Sequence, residues 1–88
     1  MNQHNMVFIG LDTHKEFHEV AYCEEQRGAD VVHHGRISSS KVTLKKLVRQ
    51  FESKYPGATL HFVYEAGPCG YWIYRFITSL GHCCYVVA

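Results

Sequence analysis

The fold is decided by residues 6–12, MVFIGLD, a nearly continuous apolar run that stops at an acidic residue. A run of this length and composition is typical of a central β-strand that is covered on both faces of its sheet. Residues 60–65, LHFVYE, repeat the pattern, because a compact apolar run again ends at an acid. The sequence therefore predicts two buried strands, each followed by a carboxylate, which is Asp12 in the first case and Glu65 in the second.

The segment between these two runs predicts a hairpin and a helix. Residues 17–23 are rich in β-forming side chains, residues 31–37 form the returning strand, and the polar stretch 24–30 is the loop that joins them. Strands joined so closely pair in antiparallel fashion. The hydroxyls of residues 38–40 can cap a helix, whose apolar stripe recurs at i, i+3, i+4 and i+7 and consists of Leu44, Leu47, Val48 and Phe51.

A second helix and a last strand are predicted after Glu65. Residues 66–70 contain two glycines and Pro68, which suits the first turn of a helix. The helical stripe that follows is Ile73, Phe76, Ile77 and Leu80, and Gly81 suits the position just beyond the helix end. Residues 83–88 are a third compact apolar run, and the chain ends inside it. We expect the chain to be an excerpt of a longer protein.

The predicted element order is β-β-β-α-β-α-β, which combines an antiparallel meander with parallel strands reached through helices. This is the order of the ribonuclease H-like fold, in which strand one lies centrally beside strand four. The prediction is therefore an α/β domain over residues 1–88 with a mixed sheet of strand order 3-2-1-4-5. Two carboxylates at the same edge of adjacent parallel strands would then lie about 4.8 Å apart, strand to strand.

The overall composition excludes several classes of protein. A net charge of +1 excludes a histone-like polycation, and 47% hydrophobic residues exclude a disordered chain. The sequence has no apolar run long enough to span a bilayer and does not begin with a signal-peptide pattern, so we expect a cytoplasmic location and no membrane partner. The four cysteines have no C-x-x-C spacing, which argues against a zinc site and favours small buried residues.

The acidic pair Asp12 and Glu65 is the candidate catalytic and metal-binding site. Neighbouring carboxylates repel each other unless a cation relieves the repulsion, and oxygen ligands favour Mg²⁺ or Mn²⁺ over zinc. Each residue alone has a simpler interpretation. Asp12 could be a turn residue that accepts backbone hydrogen bonds, and Glu65 could interact favourably with the dipole of the following helix.

Basic residues are concentrated between residues 31 and 54, which indicates a surface for a phosphate backbone. Five basic side chains are candidates for nucleic-acid binding. Lys15 lies near Asp12, and the other four lie on the first helix, off its apolar stripe: Lys41, Lys45, Lys46 and Arg49. A solvated helix face explains the same pattern.

Two motifs of the sequence are VFIGLDTHK, at residues 7–15, and YEAGPCGYW, at residues 64–72. They resemble the opening motif and the second motif of DEDD-type insertion-sequence transposases of the IS one-ten group. The interval between the motifs and the apolar ending at residues 81–88 also resemble the family. The resemblance covers nearly the whole chain.

This resemblance implies the N-terminal, RuvC-like catalytic domain of an enzyme that cleaves phosphodiesters with a metal ion and transfers DNA strands. Asp12 and Glu65 would be the first two of four acidic ligands, and the other two have no match here. The family implies transposon-end and target DNA, an element-encoded guide RNA and a homo-oligomeric full-length protein as partners. With half the ligands, we expect the isolated chain to fold but not to cleave.

Two other functions remain open at the level of sequence. The first is a sugar-kinase or actin-like half domain that binds ATP, which would need a glycine-rich first hairpin that residues 13–16 do not supply. The second is a non-catalytic assembly module that retains the two acids.

Overall fold

The computed structural model describes residues 6–25 and 30–87. Within them, five strands form one mixed sheet in the order β3-β2-β1-β4-β5, with two α-helices and a short 3-10 helix between strands. The bounds are β1 Met6–Thr13, β2 Phe17–Glu24, β3 Val32–Ser38, α1 Lys41–Lys54, β4 Thr59–Glu65, the 3-10 helix Gly67–Cys69, α2 Trp72–Ser79 and β5 Cys83–Val87.

The sheet combines both kinds of strand pairing, as the element order predicts. β1 pairs antiparallel with β2 and β2 pairs antiparallel with β3. On its other side β1 runs parallel to β4, and β4 runs parallel to β5. The α/β class, the order of elements and the strand order 3-2-1-4-5 are therefore confirmed.

The hydrophobic core lies on one face of the sheet only. Both helices pack there, and alternate residues of β1, β2 and β4 meet the apolar stripe of α1. The buried apolar side chains are Val7, Ile9, Leu11, Val20, Tyr22, Leu44, Leu47, Val48, Phe51, Leu60, Phe62, Tyr64, Ile73, Ile77 and Cys84. The prediction that β1 is covered on both faces is wrong for this chain, because Phe8 and Asp12 on the other face of β1 are exposed. We call this uncovered side the open face.

Helix α1 forms as its sequence indicates. Ser40 has an extended backbone and its Oγ accepts a hydrogen bond of 3.1 Å from the backbone N–H of Thr43, which is the usual geometry of a helix N-cap. All four stripe residues of the helix are buried. Its lysines and Arg49 are exposed on the side that faces away from the core. The helix therefore has one face for packing and one for solvent.

Helix α2 begins later than Pro68 suggests. Residues Gly67–Cys69 form a separate 3-10 turn, Gly70 takes a positive φ of 58°, and α2 starts at Trp72. Glycine adopts a positive φ without the strain that a side chain would bring, so Gly70 permits this break. The predicted end is confirmed, because Gly81 has a φ of 91° directly after the C-cap residue Leu80.

Three further expectations are refined by the structure. β1 and β4 extend to Thr13 and Glu65, so both candidate acids lie within strands and not after them. The predicted loop 24–30 lies partly outside the described residues. The four cysteines are unpaired, but only Cys84 is buried, and its burial raises the pKa of that thiol to about 11.

In the described part of the chain, neither helix has the length and apolar character needed to cross a bilayer.

Candidate functional site

The structure brings Asp12 and Glu65 to the same edge of the sheet. Leu11 of β1 is paired with Tyr64 of β4, so the next residue of each strand emerges at the shared carboxyl edge. The hydroxyl of Thr13 donates a hydrogen bond of 3.3 Å to the backbone carbonyl of Glu65, which ties the two strand ends together. Both acids line one depression of about 410 Å³ on the open face. Their convergence follows directly from the parallel pairing.

Both carboxylates are accessible to solvent. The side chain of Asp12 is 75% exposed, and Glu65 is exposed as well. A hydrated Mg²⁺ suits such a pair, because this ion keeps several waters and uses one or two protein carboxylates. Across residues 6–25 and 30–87, no group of three or more His, Cys, Asp or Glu side chains has the geometry of a metal site. The pair therefore offers part of a ligand set, and the metal role of Asp12 and Glu65 stays a prediction.

A row of four charged residues crosses the open face at this edge. Asp12 is the cross-strand partner of Glu19 in β2, and Glu19 is the partner of Arg36 in β3. With Glu65 beside Asp12, the row runs over four adjacent strands. Glu19 and Arg36 are functional candidates that the sequence reasoning missed. The register of the β1–β2 hairpin could have revealed Glu19, because a short turn after Thr13 places it opposite Asp12.

Arg36 is held in a defined position within this row. Its Nε and Nη2 atoms donate hydrogen bonds of 3.0 and 2.7 Å to Oε2 of Glu19. Its guanidinium carbon lies 3.8 Å from the centroid of the Phe17 ring, a cation–π arrangement. The Arg36 side chain is nevertheless 61% exposed. One face of the guanidinium is therefore packed while the group still meets solvent.

The turn between β1 and β2 follows Asp12 closely and carries His14 and Lys15. Nε2 of His14 lies 3.4 Å from Oδ2 of Asp12, and the His14 ring stacks on Phe17 at 4.4 Å between centroids. Lys15 is exposed in the same turn, where its backbone carbonyl accepts a hydrogen bond of 3.2 Å from the hydroxyl of Ser39. The structure therefore places Lys15 at the edge that carries the acidic pair, as the sequence predicts.

The floor of the depression is built from small and apolar side chains. Gly10, Ala21 and Val63 lie two residues inward from the charged row on the same face, on β1, β2 and β4. Further in, Phe8 stacks on His61 at 5.3 Å, and His61 stacks on Tyr85 at 5.8 Å. The open face is thus charged at the carboxyl edge and apolar towards the opposite edge.

Tyr64 fixes the turn that follows Glu65. Its buried hydroxyl donates a hydrogen bond of 2.8 Å to the carbonyl of Gly70 and accepts one of 3.2 Å from the backbone N–H of Tyr74. Burial raises the pKa of Tyr64, so the hydroxyl keeps its proton and can make both bonds. The N-cap residue of α2, Tyr71, provides no side-chain cap, so Tyr64 supplies it from the neighbouring strand.

The basic residues of α1 lie on the opposite side of the molecule. Because α1 packs on the core face, the sheet and the helix layer separate its solvent side from the acidic pair. Lys45, Lys46 and Arg49 line a shallow apolar groove on that outer surface, and Arg49 forms an ion pair of 2.8 Å with Glu52. Lys41 lies 6.0 Å from the centroid of the Phe76 ring. The structure therefore groups these cations with each other and not with Asp12 and Glu65.

Comparison with curated proteins gives two similar relatives. The chain is 38% identical over 81 residues to a protein of Sinorhizobium fredii, and 32% identical over 82 residues to one of Leptospira borgpetersenii. Both are named as transposases. The first carries the name y4qE, and the second is named for the insertion sequence element IS1533. The similarity supports a transposase fragment, since the matches cover 92% and 93% of this chain but only 20% and 23% of the relatives.

Two other comparisons add little to this similarity. No family model matches the chain. Among solved structures, two of a Ppx/GppA protein from Aquifex aeolicus match with TM-scores of 0.42 and 0.44 at 7% and 6% identity. Each match covers 94% of this chain and about a third of the other, 36% and 35%.

Proposed function

We propose that the chain is the N-terminal, RuvC-like catalytic domain of an insertion-sequence transposase of the DEDD type, IS one-ten group. The observation that supports this most directly is the placement of Asp12 and Glu65 side by side at the carboxyl edge of two parallel strands. The two relatives named as transposases support the same class of protein. The proposed reaction of the full-length enzyme is metal-dependent phosphodiester cleavage followed by DNA strand transfer.

The acidic pair fits Mg²⁺ or Mn²⁺ as a cofactor. Its donors are carboxylate oxygens on neighbouring strands, and both side chains are open to water and to a substrate phosphate. When bound, such ions supply charge stabilisation for the attacking and leaving oxygens of a phosphodiester. In this proposal Asp12 and Glu65 fix the cofactor, and the bond from Thr13 to the Glu65 carbonyl keeps the two carboxylates in register.

The same proposal predicts that the isolated chain does not cleave DNA. Two acids of a four-acid set hold an ion weakly, and the described residues offer no third ligand of suitable geometry. The remaining ligands would come from the rest of the full-length protein. We further propose transposon-end and target DNA and an element-encoded guide RNA as partners, a homo-oligomer as the active form, and the cytoplasm as its location.

The test is a cleavage assay with the full-length protein, its DNA and Mg²⁺, using Asp12→Asn and Glu65→Gln variants. The proposal requires both variants to lose cleavage and to bind Mn²⁺ more weakly, measured by electron paramagnetic resonance of free Mn²⁺. Glu25→Gln is the matched control, because Glu25 is an exposed acid at the opposite end of the β1–β2 hairpin. Unchanged transposition in the Asp12 and Glu65 variants would favour the non-catalytic assembly module instead.

A further inference from the structure

We propose that Arg36 contacts a phosphate of the nucleic-acid strand that crosses the open face, next to the phosphodiester held at Asp12 and Glu65. The proposal rests on the function proposed above and adds a substrate-contacting residue to it. The resemblance to transposases assigns no role to this position.

The register of the sheet sets the distance between Arg36 and the acidic pair. Asp12 pairs with Glu19 and Glu19 pairs with Arg36, so two strand spacings, about 10 Å, separate the backbones of Asp12 and Arg36. The phosphodiester held at Asp12 and Glu65 therefore lies two or more strands from the backbone of Arg36. In this proposal Arg36 binds a neighbouring phosphate of the same nucleic-acid strand, which runs along the charged row.

The contacts of Arg36 leave it ready to bind an anion. Phe17 covers one face of the guanidinium, and Glu19 fixes its direction through two hydrogen bonds to a single oxygen. Among the described residues, no hydrogen bond engages Nη1. A planar guanidinium carries five N–H donors and matches a phosphate in bidentate fashion, so donors remain after the bonds to Glu19 are made. The group is oriented before any strand arrives, which lowers the entropic cost of binding.

The charge of the row gives a second reason and also defines the rival explanation. Without Arg36, three carboxylates in line would repel a phosphate backbone. In the rival explanation, Arg36 makes no contact with the phosphate and helps binding solely because it offsets the charge of Glu19. The two explanations differ in one respect: a phosphate contact needs the arginine even when Glu19 is neutral, whereas charge compensation does not.

The experiment measures binding of a mixed-sequence single-stranded DNA oligonucleotide to the full-length protein by fluorescence anisotropy over a range of salt concentrations. The variants are Arg36→Gln, Glu19→Gln and the double variant, which keeps the net charge of the wild type. Arg75→Gln is the matched control, because it removes the same charge from an exposed position on α2, on the helical side of the sheet. Circular dichroism checks that each variant is folded. We expect all of them to fold, because the ion pair between Arg36 and Glu19 is exposed.

The expected result is a lower salt slope in Arg36→Gln, by about 0.7 for one lost phosphate contact on a single strand. The double variant should keep this lower slope, while Glu19→Gln and Arg75→Gln should retain the wild-type slope. Wild-type binding by the double variant would overturn the phosphate contact in favour of charge compensation. An Arg36→Gln variant that behaves like Arg75→Gln would overturn it as well.

Cleavage assays keep this inference separate from the proposed function. With saturating DNA and Mg²⁺, Arg75→Gln should still cleave, whereas Asp12→Asn should bind the DNA but not cleave it. If Arg36→Gln lowers the slope and Asp12→Asn cleaves normally, the metal-dependent function fails while the phosphate contact of Arg36 stands. If the wild type binds no oligonucleotide, the phosphate contact of Arg36 is refuted, while the proposed function is still decided by the cleavage assay.

Discussion

The hydroxyl of Tyr64 links the candidate site to the stability of the fold, and its removal is a direct test of this structure. In a Tyr64→Phe variant the ring remains in the core, but the backbone carbonyl of Gly70 and the N–H of Tyr74 lose their partner. Tyr74 is the third residue of α2, a position whose N–H has no partner within the helix. The substitution therefore removes a helix cap and a bond that anchors the turn after Glu65.

The size of the effect follows from these two bonds. Loss of a helix N-cap costs about 1 kcal/mol, and loss of a partly buried hydrogen bond costs about another 1 kcal/mol. The free energy of unfolding should therefore fall by about 2 kcal/mol. Since a domain of this size has a total of about 4–13 kcal/mol, the loss is a large fraction of its stability. The corresponding decrease in melting temperature is about 10 °C.

The assay is urea denaturation followed by circular dichroism, with Tyr71→Phe as the matched control. Tyr71 is 57% exposed, and no hydrogen bond from its hydroxyl is present among the described residues, so that variant should lie close to the wild type. Equal stability of Tyr64→Phe and Tyr71→Phe would refute the capping role of Tyr64. A large loss of unfolding free energy in both variants would show that the Tyr71 hydroxyl also makes a stabilising contact.

Three other predictions concern charge. The hydrogen bonds from Arg49 and His82 hold the pKa of Glu52 below its ordinary value, so this carboxylate stabilises the fold above its unfolded-state pKa, and the benefit is lost as pH falls through the folded-state pKa. The free energy of unfolding should therefore decrease less at acidic pH in Glu52→Gln than in the wild type. An identical pH dependence would contradict the stabilising contacts of Glu52 with Arg49 and His82. Burial lowers the pKa of His18, so stability should fall as pH drops through the ordinary histidine range, and His18→Leu should reduce that fall in thermal melts. If α1 contacts a nucleic-acid backbone, Lys45→Gln should lower the salt slope of DNA binding by about 0.7–0.9 in anisotropy titrations, and an unchanged slope would leave Lys45 as a solvated residue.

The pattern of apolar residues predicts the architecture well, because burial periodicity directly reflects which residues face the core. The stripe of α1 is an example, since Leu44, Leu47, Val48 and Phe51 are all buried as expected. The boundaries are less well predicted. Asp12 and Glu65 interrupt an apolar run and so suggest strand ends, yet the backbone pairing continues through both because hydrogen bonds between strands do not depend on side-chain polarity.

The candidate site is predicted in part. Asp12 and Glu65 can be found from sequence because each follows a strand-forming run. Glu19 can be linked to them only through the register of the β1–β2 hairpin, and Arg36 needs a second pairing, whose register shifts between Val20 and Ala21. Charge clustering along the chain identifies the lysines of α1 as a basic segment, but only the packing of the helix shows that they lie on the far side of the sheet from the acids.

By itself, the sequence determined which segments become strands and helices, the order in which they occur and the two acids that end the paired apolar runs. Those properties depend on side-chain hydropathy and on caps such as Ser40, which act over a few residues. Only the tertiary structure decided that one face of the sheet is open, that Tyr64 caps α2 from a neighbouring strand, and that Arg36 joins the acidic row. These features depend on strand register and on the side of the sheet where the helices pack, and both are set by contacts between residues far apart in the chain.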